Sequence, residues 1–230
     1  QAPHAAAPPG VCTYTSTSPP GSTPMRLRPL LGLCVFLAAP VIAAPGLAPA
    51  VKADYDQRLG ALVDWFHRNP ELSYMETRTA ARMAKELRAI PGIEVTEKVG
   101  GTGVVGVMRN GAGPTVLVRA DMDGLPLKEA SGLANASTVV QTGIDGVASP
   151  VMHACGHDVH ITSLVGTALR LAAMKDAWRG TVVFVVQPAE ERIGGARKML
   201  EDGLYTRFPK PGSVAAGAGS APVCWGGHSA

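Results

Sequence analysis

The sequence predicts an α/β fold, with layers of helix and strand around one core, and three observations carry that expectation. Apolar residues at helical spacing alternate along the chain with short β-branched runs. Residues 181–186 are continuously apolar, the pattern of a strand covered on both faces. With 46% hydrophobic and 17% charged residues, 230 residues can bury one sizeable core.

Taken in order, residues 1–24 are rich in Ala, Pro, Ser and Thr without apolar periodicity, and read as a disordered or spurious leader. From Met25, a short basic region, an apolar stretch over 30–44 and the small residues Ala48, Pro49 and Ala50 read as a secretory signal peptide over 25–50. Translation from Met25, a secreted or periplasmic location and no stable membrane span after cleavage are the expectations. An uncleaved anchor is the alternative, although the stretch is short and broken by proline. Leu33 speaks against a lipid-modified Cys34, because a small residue would be expected there.

Beyond the leader, Leu59, Leu62, Val63 and Phe66 fall at helical spacing, and Asn69 with Pro70 stops that helix. A second helix is expected from about 77 to 90, closed by Pro91 and Gly92. Residues 104–108 and 115–119 are β-branched runs joined by NGAGP, read as a hairpin-like connection. Asp158 is placed as the cap of a helix running to about Met174, residues 181–186 as a buried strand, and 194–203 as a further short helix. Residues 209–230 are glycine- and alanine-rich and read as an irregular low-complexity tail.

Charge excludes little. The formal +3 is partly an N-terminal effect, since the first fifty residues hold Arg26 and Arg28 and no acid. Removing these two from the 21 basic residues leaves 19 against 18 acidic ones, so no basic patch and no nucleic-acid partner is expected. Gly101, Gly103 and Gly106 spell GxGxxG, with Asp121 and Asp123 about twenty residues on. No helix starts there, because VVGVM continues as strand, so the glycines are assigned to turns and close packing rather than to a dinucleotide.

Chemistry concentrates in MHACGHDVH at 152–160 and in QPAEE at 187–191. Three histidines, a cysteine and an aspartate within nine residues make a poor core segment, because each polar group would need a partner. Cys155 and His157 offer a thiolate and an imidazole, ligands for borderline and soft divalent metals, and Glu190 or Glu191 adds an oxygen. A bound metal lowers the pKa of its water from about 15.7 to roughly 7, and a second carboxylate can take that proton and deliver it to a leaving amine. Consecutive strand residues face opposite ways, so Glu190 and Glu191 can share a site only if the strand breaks, and Pro188 favours that break. His67 reads as a helix-terminal structural residue, His153 as a neighbour of the ligands, and His160 as either a pocket residue or a satisfied helix-start histidine.

RADMDGLPL at 119–127, MHACGHDVH, QPAEE and HRNPELSYMETRTA at 67–80 resemble, in order, the motifs of one family. It is the co-catalytic metallopeptidase and amidohydrolase family containing hippurate hydrolase, N-acyl-amino-acid amidohydrolases and the plant auxin-conjugate hydrolases. The similarity covers about 54–208. It implies a partial three-layer catalytic domain with a mixed central sheet and flanking helices, lacking the family's inserted dimerisation domain and so its means of homo-oligomerisation. It implies metal ligands at Cys155, His157 and Glu191, a general base at Glu190, and Asp121, Asp123 and His160 beside them, orienting the ligands without binding the metal. The implied cofactors are divalent metal ions, two per complete family site and of unknown identity among Zn, Mn, Co and Ni, and the implied substrate is a small N-acyl amino acid or peptide.

Three alternatives stand beside that expectation. Loss of Cys12 and Cys34 with the leader would leave Cys155 and Cys224, which an oxidising compartment could bridge. Cys155 could instead be a nucleophile activated by His157 or His160. The family's later histidine ligands are not matched, His228 being the one late histidine, so a truncated, inactive fragment holding at most one metal is the third.

Overall fold

The computed structural model describes residues 46–216. The leader, most of the segment read as a signal peptide, Cys12, Cys34, Cys224 and His228 lie outside the described residues. Among the described residues no helix is long and apolar enough to cross a membrane.

The first helical stretch runs through α1 (Leu47–Asp54), a π-helical turn (Tyr55–Leu59) and α2 (Gly60–Arg68). Asn69 leaves helical geometry at its end, as Asn-Pro requires of the residue before a proline. Helix α3 (Thr77–Arg88) buries Ala80, Met83, Ala84 and Leu87 along one stripe while its arginines and lysine stay outside. Strands β1 (Ile93–Val99), β2 (Gly103–Asn110) and β3 (Thr115–Asp121) follow, then a small hairpin of β4 (Val140–Thr142) and β5 (Ala148–Pro150). Helix α4 (His157–Ala173), β6 (Gly180–Gln187), α5 (Gly195–Glu201), α6 (Leu204–Arg207) and β7 (Ser213–Ala216) complete the order.

The main sheet has five strands in the order β1-β2-β6-β3-β7. β1, β2 and β6 pair antiparallel, whereas β3 runs parallel to both β6 and β7. Side chains alternate between two cores, as the two-residue strand period demands. Val104, Met108, Val182, Phe184 and Val186 face α2, α3 and α4, and Val105, Val107, Leu117, Val183 and Val185 face α5 and α6. Covering both faces explains the uninterrupted apolar run of β6 and makes a three-layer, mixed-sheet α/β domain.

Four expectations need correction. The runs joined by NGAGP are not a hairpin, because β6 inserts between β2 and β3 and pairs with both. Asp158 does not cap α4: Gly156 precedes it at a left-handed φ of 80°, and Asp158 sits in the first turn, accepting from its neighbour Val159. The tail read as irregular from 209 contains β7, whose pairing partner β3 is far away in sequence. His67 does not rest on a helix dipole alone, since its ring nitrogens meet Asp158 Oδ2 at 2.8 Å and Glu129 Oε1 at 3.1 Å. The glycines behave as expected: a Cβ on Gly103 would stand 2.3 Å from the Val99 carbonyl, and one on Gly106 would stand 3.0 Å from Ile93 Cγ2.

Phe184 is fully buried at the centre of the middle strand. Phe184→Ala should lower unfolding stability by about 3–5 kcal/mol in denaturant titration, since the sheet cannot collapse into the void. Burial alone would lower the pKa of His67, but Asp158 and Glu129 overcome it and hold the imidazole above its ordinary value. A raised imidazole contributes stability that is complete below about pH 6.5 and is lost as pH rises through the folded value. The urea midpoint should therefore separate wild type from His67→Gln more at pH 6 than at pH 9, and a pH-independent gap would refute this ion pair.

Candidate metal centre

Parallel strands β3 and β6 end side by side, with Asp121 paired to Gln187, and the site lies beyond these carboxyl ends. After β6, Pro188 withholds a ladder donor and Ala189 turns at φ 46°, so Glu190 and Glu191 no longer alternate as they would in a strand. After β3, Asp123 enters the same space. Its Oδ1 accepts the Glu190 amide at 3.1 Å, and its Oδ2 accepts the Glu191 amide at 3.0 Å and the Ser73 hydroxyl at 2.6 Å. These donors and His157 keep the Asp123 carboxyl below its ordinary range despite a burial that works the other way.

His157 opens α4 and is buried. Its Nδ1 donates to the Asp123 carbonyl oxygen at 2.8 Å, which can only accept, so Nε2 is left facing the cavity. Nε2 stands 3.6 Å from Asp121 Oδ2, 3.8 Å from Glu190 Oε2 and 3.9 Å from Glu191 Oε1. Burial lowers the basicity of His157, yet Asp123 and Asp121 outweigh it and hold the ring up to about 9. Burial and the carboxylates of Asp121 and Glu191 likewise push Glu190 up.

The sequence-predicted residues fall into two overlapping groups. Cys155, His157 and Glu191 offer ligand atoms all within 4.8 Å of one another, and Asp121, His157 and His160 do the same. His160 Nδ1 lies 2.7 Å from Asp121 Oδ1, and Arg119 is the cation beside them, 3.1 Å from Asp121 Oδ2. The Cys155, His157 and Glu191 set suits a metal by an observation independent of its composition: Glu191 Oε1 is buried without a hydrogen-bond partner among the described residues. An ion there would satisfy it. A thiolate, an imidazole and a carboxylate match a borderline divalent cation. Glu190 is the more open of the two glutamates, its side chain 36% exposed against 18% for Glu191.

Sequence reasoning missed Ser73 and Glu76, whose motif was recognised but whose side chains were given no task. Glu76 is fully buried and accepts the Ala189 amide at 2.8 Å. The available signal was an acid-rich PELSYMET between two helices, where a buried acid must be satisfied. His153 is buried, neither ring nitrogen has a partner among the described residues, and burial pushes its pKa down to about 4.

Cys155 is exposed and free, and the group beside its sulfur is the Glu191 carboxylate. Burial of the thiol and that carboxylate push it up to about 11 when no metal is bound, opposite to the lowered value of a nucleophilic cysteine. At pH 8 the thiolate fraction should then be about 0.1%, against about 10% at the ordinary value of 9.0. Peptide-resolved iodoacetamide labelling of Cys155 in chelator should rise with an inflection near 11. An inflection at 9 or below would restore the nucleophile.

Residues 117–228 match the model of peptidase family M20/M25/M40. A hippurate hydrolase of Campylobacter jejuni is 44% identical over 143 residues, covering 62% of this chain and 34% of the relative. An IAA-amino acid hydrolase of Arabidopsis thaliana is 34% identical over 243 residues, covering 90% of this chain and 53% of the relative. The crystal structure of a dinuclear metal binding peptidase of the M20 family from Bacillus subtilis superimposes with a TM-score of 0.59 at 38% identity, covering 66% of this chain and 40% of that one. The chain thus spans from a third to about half the length of the curated relatives it matches. Over residues 117–228, nearly half of its length, the chain is similar to peptidase family M20/M25/M40.

Proposed function

We propose that this site hydrolyses the amide bond of N-acyl amino acids, with Cys155, His157 and Glu191 holding a divalent cation and Glu190 moving the proton. The observation that carries the reading is the convergence of those three ligand atoms, with Glu191 Oε1 buried and lacking a hydrogen-bond partner among the described residues, and Glu190 beside them and open to solvent. When bound, a divalent cation polarises a carbonyl and makes a water acidic near neutral pH. The chain's own residues do the remainder.

Glu190 takes a proton from water at its carboxylate and returns it to the departing amine nitrogen. Its raised pKa suits both halves of that exchange, because an ordinary carboxyl is too weak a base near neutrality. Asp123 fixes the backbone of Glu190 and Glu191 and the tautomer of His157. Asp121 and His160, hydrogen-bonded to one another beside His157, add the donor atoms from which a second cation position can be built. A second cation fits the dinuclear description of the Bacillus subtilis structure.

Hippurate and IAA-amino acid conjugates, named for two relatives, both join an aryl-bearing acid to an amino acid through an amide. A cavity of about 430 Å³ reaches from Glu191 past Leu72, Leu125, Ile144 and Val147. Its wall is mixed: these apolar side chains suit the hydrocarbon part of such a substrate, and Ser73, Asp145 and Arg192 give the same cavity a polar side for the carboxylate and amide.

The experiment is metal analysis together with hydrolysis of a panel of N-acyl amino acids, run on the chain and on Glu190→Gln. Metal content should be equal in both, and turnover should fall about 10²–10⁴-fold in the variant. Equal turnover in both forms overturns the role of Glu190. Metal in both without turnover in either overturns hydrolysis by this chain and leaves a metal-binding domain.

A further inference from the structure

We infer that Glu76 is a positioning residue: its buried carboxylate, together with Asp123, holds the three consecutive amides of Ala189, Glu190 and Glu191 and thereby aims the two glutamates. The inference rests on the metal-site reading above. The Ala189 amide donates to Glu76 Oε1 at 2.8 Å, the Glu190 amide to Asp123 Oδ1 at 3.1 Å and the Glu191 amide to Asp123 Oδ2 at 3.0 Å. In the turn that begins with a proline and a left-handed alanine, the Ile193, Gly194 and Gly195 amides hold the Glu190 and Ala189 carbonyls from within, but no sheet partner fixes the amides of Ala189, Glu190 and Glu191. The two carboxylates supply that fixing from outside.

Glu76 is not consumed by an ordinary structural task. It stands at the N-terminus of α3, but its side chain makes no capping bond there. Glu71 does that work, accepting the Arg78 amide at 3.2 Å and the Thr79 amide at 2.7 Å. Among the described residues Glu76 pairs with no arginine or lysine: Oε1 takes the Tyr74 and Ala189 amides, and Oε2 takes the Thr102 hydroxyl at 2.6 Å. A fully buried acid without a cationic partner is costly, and a position serving packing alone would be filled more cheaply by an apolar side chain. What the carboxylate adds is acceptor capacity toward three segments at once: the turn before α3, the turn between β1 and β2, and the turn that carries Glu190 and Glu191.

The test reads metal affinity, which loss of packing alone would not move in a folded protein. Co²⁺ is titrated into the chain and followed by the charge-transfer absorption of the Cys155 thiolate. Glu76→Met keeps the bulk and accepts nothing, so it should weaken Co²⁺ binding about 10–100-fold, the usual effect of losing a partner that orients a ligand. Glu76→Gln keeps an acceptor for Ala189 and Tyr74 and should stay within about threefold of wild type. A folded Glu76→Met with wild-type affinity, or a Gln variant as weak as the Met one, overturns the inference. Where circular dichroism shows Glu76→Met unfolded, Thr102→Val decides: a several-fold weakening at unchanged melting temperature supports the inference, and unchanged affinity overturns it. Wild-type binding with unaltered variants sinks this assignment alone, whereas no Co²⁺ binding by wild type sinks the metal reading and this assignment with it.

Discussion

Asp123 receives the amides of Glu190 and Glu191 on its two carboxylate oxygens while its backbone carbonyl accepts a hydrogen bond from His157 Nδ1. One residue therefore joins the loop after β3, the turn after β6 and the start of α4, and fixes a peptide plane or ring in two of them. Each bond is charge-assisted or buried, and so is worth more than an exposed one. Removing the side chain would free Glu190 and Glu191 together, because the same group holds both. Ser73 supplies a third donor to the same carboxylate and the His157 ring stands 3.4 Å from Oδ1, so its negative charge is met by hydrogen bonds and an imidazole rather than by a lysine or arginine.

This knot depends on the sheet. Asp121 and Gln187 are register partners only because β6 lies between β2 and β3, and a direct β2-β3 hairpin would have kept the chemistry of β3 away from that of β6. Phe184 and Val186 on one face, and Val183 and Val185 on the other, hold β6 in the middle by burial on both sides. Function at the strand ends thus rests on apolar residues that never approach the site.

Contiguous features were legible in the sequence. The buried strand, the cysteine and histidine cluster, the glutamate pair and the proline break before it are all local patterns read within a dozen residues. Strand partnership was not legible, because β3 chooses β6 and β7 across long separations that no periodicity encodes. Strand β1 escaped for another reason: it lies at the sheet edge and carries Glu94, Glu97 and Lys98, charges that blunt an edge but also hide its alternation. Glu76 was invisible because its partner Ala189 lies 113 residues away, and an acid in a recognised motif looks the same whether it holds solvent or a catalytic turn.

The charges of the site form a coherent set only when a cation is counted. Asp121, Asp123, Glu190 and Glu191 converge on His157, and Arg119 is the cationic side chain among them, salt-bridged to Asp121. Without a metal the protein relieves this repulsion with protons: His157 holds its own up to about 9, Cys155 holds its own up to about 11, and Glu190 is raised. A group raised above its unfolded value favours the folded state below that unfolded value and loses this contribution as pH climbs through the folded one. Proton and cation are therefore alternative occupants of one negative pocket, and every proton lost with rising pH exposes a ligand with higher affinity for the cation. The carboxylates that raise these groups are the donors a divalent ion would use, so the arrangement suits such an ion better than it suits a thiol nucleophile.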